Sequence, residues 1–217
     1  MDDEKILKRD LFGEIRLTSV GEDAVVVRST RLAPWWTRWL ARHLLLREAR
    51  ALAALDGIAG VPALLGQERD ELRRSYLAGE PLHCARPRDA AWFAAAADLL
   101  RRLHRAGVCH NDLAKEPNLL VREDGTPGII DFQLAWYSRT RSRLFRIAAY
   151  EDIRHLLKHK RSYRPDLLTG RERRILANPT PVSRLFRGTV KPVYLFVTRR
   201  LLGWSDREGA GDRDARN

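Results

Sequence analysis

Sulfur is scarce in this chain: its 217 residues include two cysteines and one methionine. Cys84 and Cys109 are too few for a disulfide framework, and without a Cys-x-x-Cys pair they do not suggest zinc. Long apolar runs are also missing. No uncharged stretch approaches the roughly 20 residues that a bilayer-spanning helix needs. Asp2, Asp3 and Glu4 stand where a secretory leader would be basic and then apolar. The chain therefore reads as cytoplasmic. Acidic residues are outnumbered, 28 Asp plus Glu against 40 Lys plus Arg, for a formal charge of +12. Such a surface favours anionic partners: nucleotide phosphates, nucleic acid or an acidic membrane face. No internal repeat or low-complexity linker divides the chain.

Apolar residues make up 44% and charged residues 31%, a balance that supports one folded domain or two small lobes sharing a cleft. Two strands are expected first, over Leu11–Leu17 and Ala24–Val27, the second ending at Arg28, with Gly21 in the turn between them. A helix begins after Pro34, runs through Leu44, Leu45, Ala49, Leu52 and Leu55, and stops at Asp56-Gly57. Val61–Leu65 and Leu72–Leu77 read as strands. Ala78-Gly79-Glu80-Pro81 then breaks the chain. Asp89 is a candidate cap for a long helix through Trp92, Phe93, Ala96, Leu99, Leu100 and Leu103, ended by Gly107. A hairpin of Leu119–Val121 and Gly128–Ile130 turns at Asp124-Gly125. Helices are expected around Glu151–Lys160, near Arg171–Ala177 and after Pro192. This order gives an α+β bilobal fold: an N-lobe over 1–77, a mostly helical C-lobe over 78–204, and a frayed polar tail over 205–217.

The chemistry-bearing stretch runs from Leu99 to Ala135. A polar loop after Gly107 presents His110, Asp112, Lys115 and Asn118, and the hairpin that follows delivers Asp131 at a strand exit. Two carboxylates, an amide and an ammonium thus gather near one hairpin mouth. Phosphoryl transfer asks for such a set. One carboxylate orients a hydroxyl and takes its proton, a second carboxylate and an amide oxygen hold Mg²⁺, and a cation offsets phosphate charge.

The run Leu103-His104-x-x-Gly107-Val108-x-His110-x-Asp112-Leu113, followed by Ile129-Ile130-Asp131-Phe132, resembles the catalytic loop and metal-binding segment of the protein-kinase-like superfamily. Within it, the short form is most similar to RIO-type kinases and bacterial lipopolysaccharide-core kinases. The resemblance implies ATP and Mg²⁺ as cofactors. It implies Asp112 as catalytic base, Asn118 and Asp131 as metal ligands, His110 as the brace of the loop and Phe132 as a packing neighbour. It further implies that Tyr76, Leu77 and Gly79 line an adenine-binding hinge. Glu48 would pair with the phosphate-binding cation. The acceptor stays open between a protein Ser/Thr and a lipopolysaccharide-core sugar at the inner membrane face, and a pseudokinase that binds without turnover is the alternative.

Four departures stand out from that pattern. Gln133 replaces the glycine after Asp131-Phe132, Asn118 lies one position further from Asp112, Arg28 stands where a lysine is expected, and the glycine-rich loop is reduced to Gly13. Lys8 or Lys115 are candidate substitutes for the missing ammonium. Trp35, Trp36 and Trp39, flanked by Arg31, Arg42 and Arg47, and Trp204 near Arg199 and Arg200, match either peripheral membrane contact or packing between lobes. No RNA-binding signature accompanies them, so nucleic acid ranks below both. Cys84 and Cys109 read as small apolar fillers, and Glu116 and Glu123 as solvated turn residues.

Overall fold

The computed structural model describes residues 4–21 and 23–178. An antiparallel five-stranded sheet comes first, in the order β1-β2-β3-β5-β4. Its strands are β1 (Lys5–Asp10), β2 (Gly13–Val20), β3 (Asp23–Ser29), β4 (Leu64–Gln67) and β5 (Glu71–Ser75). One helix, α1 (Trp35–Ala54), is inserted between β3 and β4. It starts where Pro34 fixes the entry backbone, and it buries Ala41, Leu44, Leu45, Glu48, Ala49 and Leu52, a stripe with helical period. Gly57 then takes φ +73°, the left-handed conformation that follows a helix end at no steric cost.

Residues 76–79 lead from β5 to β6 (Glu80–Pro81) and the single turn α2 (Leu82–Ala85). The long helix α3 (Ala90–Arg105) follows, its N-terminus capped by Asp89, whose Oδ1 accepts the Ala91 N–H at 2.8 Å. Its apolar stripe of Trp92, Phe93, Ala96, Leu99, Leu100 and Leu103 is buried in one continuous core with Leu45, Leu52, Leu72, Leu113 and Phe132. Each such large side chain contributes about 1.5–3 kcal/mol of burial. After α3 come β7 (Val108–Cys109), the paired β8 (Leu119–Val121) and β9 (Pro127–Ile129), and β10 (Trp136–Tyr137), which pairs with β7. The helices α4 (Arg143–Tyr163) and α5 (Gly170–Ala177) complete the described chain. The α+β expectation holds, with a sheet-rich N-terminal part and helices behind it.

Several local expectations need correction. β1 is an additional strand: five of its six residues are exposed, so KILKRD carries no buried alternation to read. The strands expected at Val61–Leu65 and Leu72–Leu77 lie at Leu64–Gln67 and Glu71–Ser75, and α4 starts eight residues before Glu151, at Arg143. Cys84 is exposed and is no core filler, whereas Cys109 is buried. Glu116 is no solvated turn charge, since Tyr163 donates its hydroxyl to Glu116 Oε2 at 2.7 Å. The helix expected after Pro192, Trp204 and the polar tail fall outside the described residues.

Candidate active site

The loop after β7 is fixed from two sides. On one side, His110 Nε2–H donates to Ile130 O at 2.9 Å while its Nδ1 accepts the Asp112 N–H at 3.3 Å, so both ring nitrogens are engaged. Its face meets Phe132 edge-on, with ring centres 4.9 Å apart. On the other side, buried Asp152 of α4 accepts the backbone N–H groups of His110 at 2.8 Å and Asn111 at 2.9 Å, and lies 3.2 Å from His104 Nε2. This bracing lets Asn111 hold φ +64°, a conformation seldom taken by residues with a side chain.

Asp112 follows directly. Its Oδ2 lies 3.0 Å from Lys115 Nζ, and Asn118 Nδ2 donates to Asp112 O at 2.9 Å and to Oδ2 at 3.3 Å. The extra residue between Asp112 and Asn118 is taken up by a 3-10 turn over Glu116–Asn118. Asn118 O accepts the Ile130 N–H at 3.0 Å, which continues the β8–β9 pairing to the doorstep of Asp131. Burial raises the Asp112 carboxyl above its ordinary range; Lys115 opposes this, and the nearby Asp131 carboxylate adds to it. The two aspartates therefore share one electrostatic environment.

Asp131 takes φ +66° before a 3-10 turn over Phe132–Leu134. Gln133 belongs to that turn and has no positive φ, so the glycine of the kinase pattern is not needed here for backbone reasons. Its amide does something else. Gln133 Nε2 donates to Asp131 Oδ2 at 3.1 Å, and its Oε1 accepts from Arg28 Nη2 at 2.8 Å. Arg28 Nη1 in turn donates to Glu48 Oε2 at 2.9 Å, and Arg74 Nε stands 3.3 Å from Glu48 Oε1. Glu48 is 1% exposed, so two arginines around one buried carboxylate offset its desolvation. A polar relay thus runs Glu48, Arg28, Gln133, Asp131. Two departures from the kinase pattern, at 28 and 133, form one hydrogen bond.

The cleft above this relay is lined by Lys8, Asp10, Phe12, Gly13, Arg28 and Asp131 among others and holds about 60 Å³. Its roof is the tight β1–β2 turn, where the Phe12 N–H donates to Asp10 Oδ1 at 2.8 Å. Gly13 takes φ +118°, and a Cβ there would stand 2.0 Å from Ser29 O, so no other residue fits. Lys8 lines the cleft but faces Asp10 at 3.5 Å. Of the residues expected at the hinge, Tyr76 donates its N–H to Ala24 O at 2.9 Å, which joins it to the sheet. Leu77 reaches the backbone of Gly128, and Gly79 passes so close to Val121 that a Cβ would meet its carbonyl at 3.0 Å.

The donor chemistry suits a hard divalent cation. Asn118 spends its amide nitrogen on Asp112 and keeps Oδ1 as an acceptor, and Asp131 adds a carboxylate from the facing strand end, which is an all-oxygen set of the kind Mg²⁺ prefers. A second cluster, His104, Cys109 and Asp152, has ligand atoms within 4.8 Å of one another. It is structural. Asp152 is consumed by backbone donors, and burial pushes the Cys109 thiol far up, so it stays protonated and points at Phe145 O at 3.5 Å.

Sequence reading gathered Asp112, Lys115, Asn118 and Asp131 from one contiguous stretch. It did not single out Asp152 or Arg74, and it saw Gln133 only as an intrusion. His159, whose Nε2–H donates to Leu113 O at 2.7 Å, was missed as well. Asp152 and His159 lie on α4 and reach the loop only through tertiary packing, Arg74 of β5 meets Glu48, and Gln133 sits beside Asp131 within the stretch already singled out; only the acidic and histidine spacing inside α4 offered a signal.

The family model of the APH phosphotransferase enzyme family matches residues 21–141, more than half of the chain. No curated protein matches it. Among solved structures, a Rio2 kinase from Chaetomium thermophilum crystallised as an ADP/Mg²⁺-phosphoaspartate complex superposes with TM-score 0.55 at 20% identity, covering 77% of this chain and 55% of that one. A second structure of Rio2 kinase from the same organism gives TM-score 0.59 at 18% identity, covering 82% and 60%. The chain thus spans less than two thirds of the length of these kinases, and what it shares with them is the fold.

Proposed function

The chain belongs to the APH phosphotransferase enzyme family, and from that premise we propose that it moves the γ-phosphoryl group of ATP to a hydroxyl acceptor. One observation carries this reading: Asn118 donates to Asp112 through its amide and accepts the Ile130 N–H through its carbonyl, which brings Asp131, the next residue, to the loop of Asp112. Asp112 accepts a hydrogen bond from the acceptor hydroxyl. It takes the proton as the new O–P bond forms and the bond from phosphorus to the leaving oxygen of ADP breaks. Asn118 and Asp131 are the residues to hold Mg²⁺, which when bound offsets charge on the phosphate oxygens. Arg28 and Lys115 supply fixed cations toward the same oxygens, while Tyr76, Leu77 and Gly79 offer the edge of the adenine slot. The phosphates would lie in the cleft of about 60 Å³ beneath the β1–β2 turn.

The acceptor we favour is a hydroxyl on an anionic glycan or glycolipid at a membrane face, over a protein Ser/Thr. No helix among the described residues is long and apolar enough to cross a membrane. Yet Trp35, Trp36 and Trp39 are 84%, 49% and 69% exposed at the start of α1, with Leu32 and Arg31 beside them, so packing between lobes does not account for them. Three such rings next to cations suit the headgroup zone of an anionic bilayer. Replacing all three by Ser is expected to lower binding to phosphatidylglycerol-containing vesicles at least ~10-fold, with melting unchanged. Cosedimentation checks this, and undiminished binding would remove the membrane assignment.

A binding module without turnover is the second reading, favoured by the Gln133 amide lodged between Arg28 and Asp131. Thermal shift with Mg-ATP, run beside transfer of labelled phosphate to a lipopolysaccharide extract, separates the two. Transfer supports the enzyme; stabilisation without transfer to any acceptor favours the module.

A further inference from the structure

A larger cavity, about 450 Å³, lies apart from the nucleotide cleft and shares no lining residue with it. One wall is a face of α1 carrying His43, Arg47 and Arg50 at helical spacing, and the other is Ala135 with Trp136 and Tyr137 of β10. No carboxylate lines it. The side chains of His43 and Arg50 have no hydrogen bond or ion pair among the described residues. Arg47 is held in place, its Nε donating to Ala135 O at 3.1 Å and its Nη2 to Leu134 O at 2.8 Å. From residue 132 to residue 150 the chain has no Asp or Glu, while Arg139, Arg141, Arg143 and Arg146 follow the cavity wall in exposed positions. Uncompensated cations around a hollow with two aromatic rings call for an anionic group borne on a flat or ring-shaped body.

We infer that this cavity is an anion subsite taking a phosphorylated sugar, with the phosphate on Arg47 and Arg50 and the sugar ring against Trp136 and Tyr137. Forked guanidinium groups suit phosphate oxygens, and aromatic faces suit the C–H face of a sugar ring. The subsite also touches the candidate catalytic loop. Leu134 O accepts from Arg47 Nη2 and from Asn111 Nδ2 at 3.1 Å, and Asn111 precedes Asp112. On the phosphotransfer reading above, the phosphate belongs to the acceptor; binding itself does not depend on that reading.

Ligand-observed NMR of the full chain with glucose 6-phosphate, and with glucose as control, tests the assignment. Glucose 6-phosphate should bind and glucose should not. Arg50→Gln, at an exposed position, should weaken binding at least ~10-fold without lowering the melting temperature, and Arg50→Lys should weaken it less. Saturating AMP-PNP should leave the signal in place, and Asp112→Asn, which slows transfer, should leave it too. Equal binding by the wild type and Arg50→Gln, no binding at all, or displacement by AMP-PNP would overturn the subsite. Retained phosphosugar binding in a chain that transfers no phosphate would sink only the link to turnover.

Discussion

Asp112→Asn is expected to lower kcat by roughly 10²–10⁴-fold, the usual worth of a positioned general base, while leaving the melting temperature equal to or above that of the wild type. The rate loss follows from removing the group that takes the hydroxyl proton. The stability gain follows from the sign of the Asp112 shift. Its folded-state pKa lies above the ordinary 3.8 because of burial first, with Asp131 adding to the effect. Between the unfolded and folded values the native state binds more protons, so stability falls as pH rises through that window, and the ionised carboxylate burdens the fold at neutral pH. Asparagine removes that burden. The same shift moves the acid limb of kcat/KM to a higher pH than an ordinary aspartate would give, because the base works only when deprotonated. Rate profiles and thermal melts of the two proteins check each part. An unchanged kcat in Asp112→Asn would remove the assigned base.

Asp152→Ala should be the most damaging substitution away from the reacting atoms. The buried carboxylate satisfies the N–H groups of His110 and Asn111 and faces His104, so its loss strands two backbone donors and a ring nitrogen in the core. A cost of about 3–5 kcal/mol is expected, by analogy with breaking a buried charged network. Asp152→Asn retains one acceptor oxygen and should fold, but its amide opposes one of the two N–H donors. In that variant the nucleotide affinity should be nearly kept while kcat falls roughly 10-fold or more, since the loop carrying Asp112 loses its anchor and not its ligands. Denaturant melts and a comparison of kcat with ATP affinity check both. Equal loss in affinity and rate would mean that Asp152 supports the whole lobe and not the loop.

What the sequence disclosed, and what it withheld, follows from distance along the chain. Asp112, Lys115, Asn118 and Asp131 sit in one loop and one hairpin, where local spacing determines proximity, so their gathering could be read directly. The long apolar stripes of α1 and α3 were legible for the same reason: a 3.6-residue period survives in any buried helix. β1 was not, because an exposed edge strand has no face to hide and therefore no alternation. Asp152 was not, because its partners lie far along the chain and, next to Glu151 in a charged helix, it looks like any solvated acid. For Glu48 only the resemblance implied a partner, and the structure buries it beneath two arginines. The tryptophans of α1 were left between membrane contact and packing, since helical spacing does not say which stripe meets the core.

The hydrogen bond between Arg28 and Gln133 has a consequence for how such a chain is reached by mutation. A lysine at 28 would have no second branch with which to meet the glutamine amide. A glycine at 133 would leave a guanidinium nitrogen without an acceptor in a sparsely hydrated place. Neither single step back toward the commoner pair is neutral, whereas the double exchange restores a complete set of partners. The two positions are thus expected to be inherited as a unit, and a library that varies them one at a time would miss the path between the two solutions.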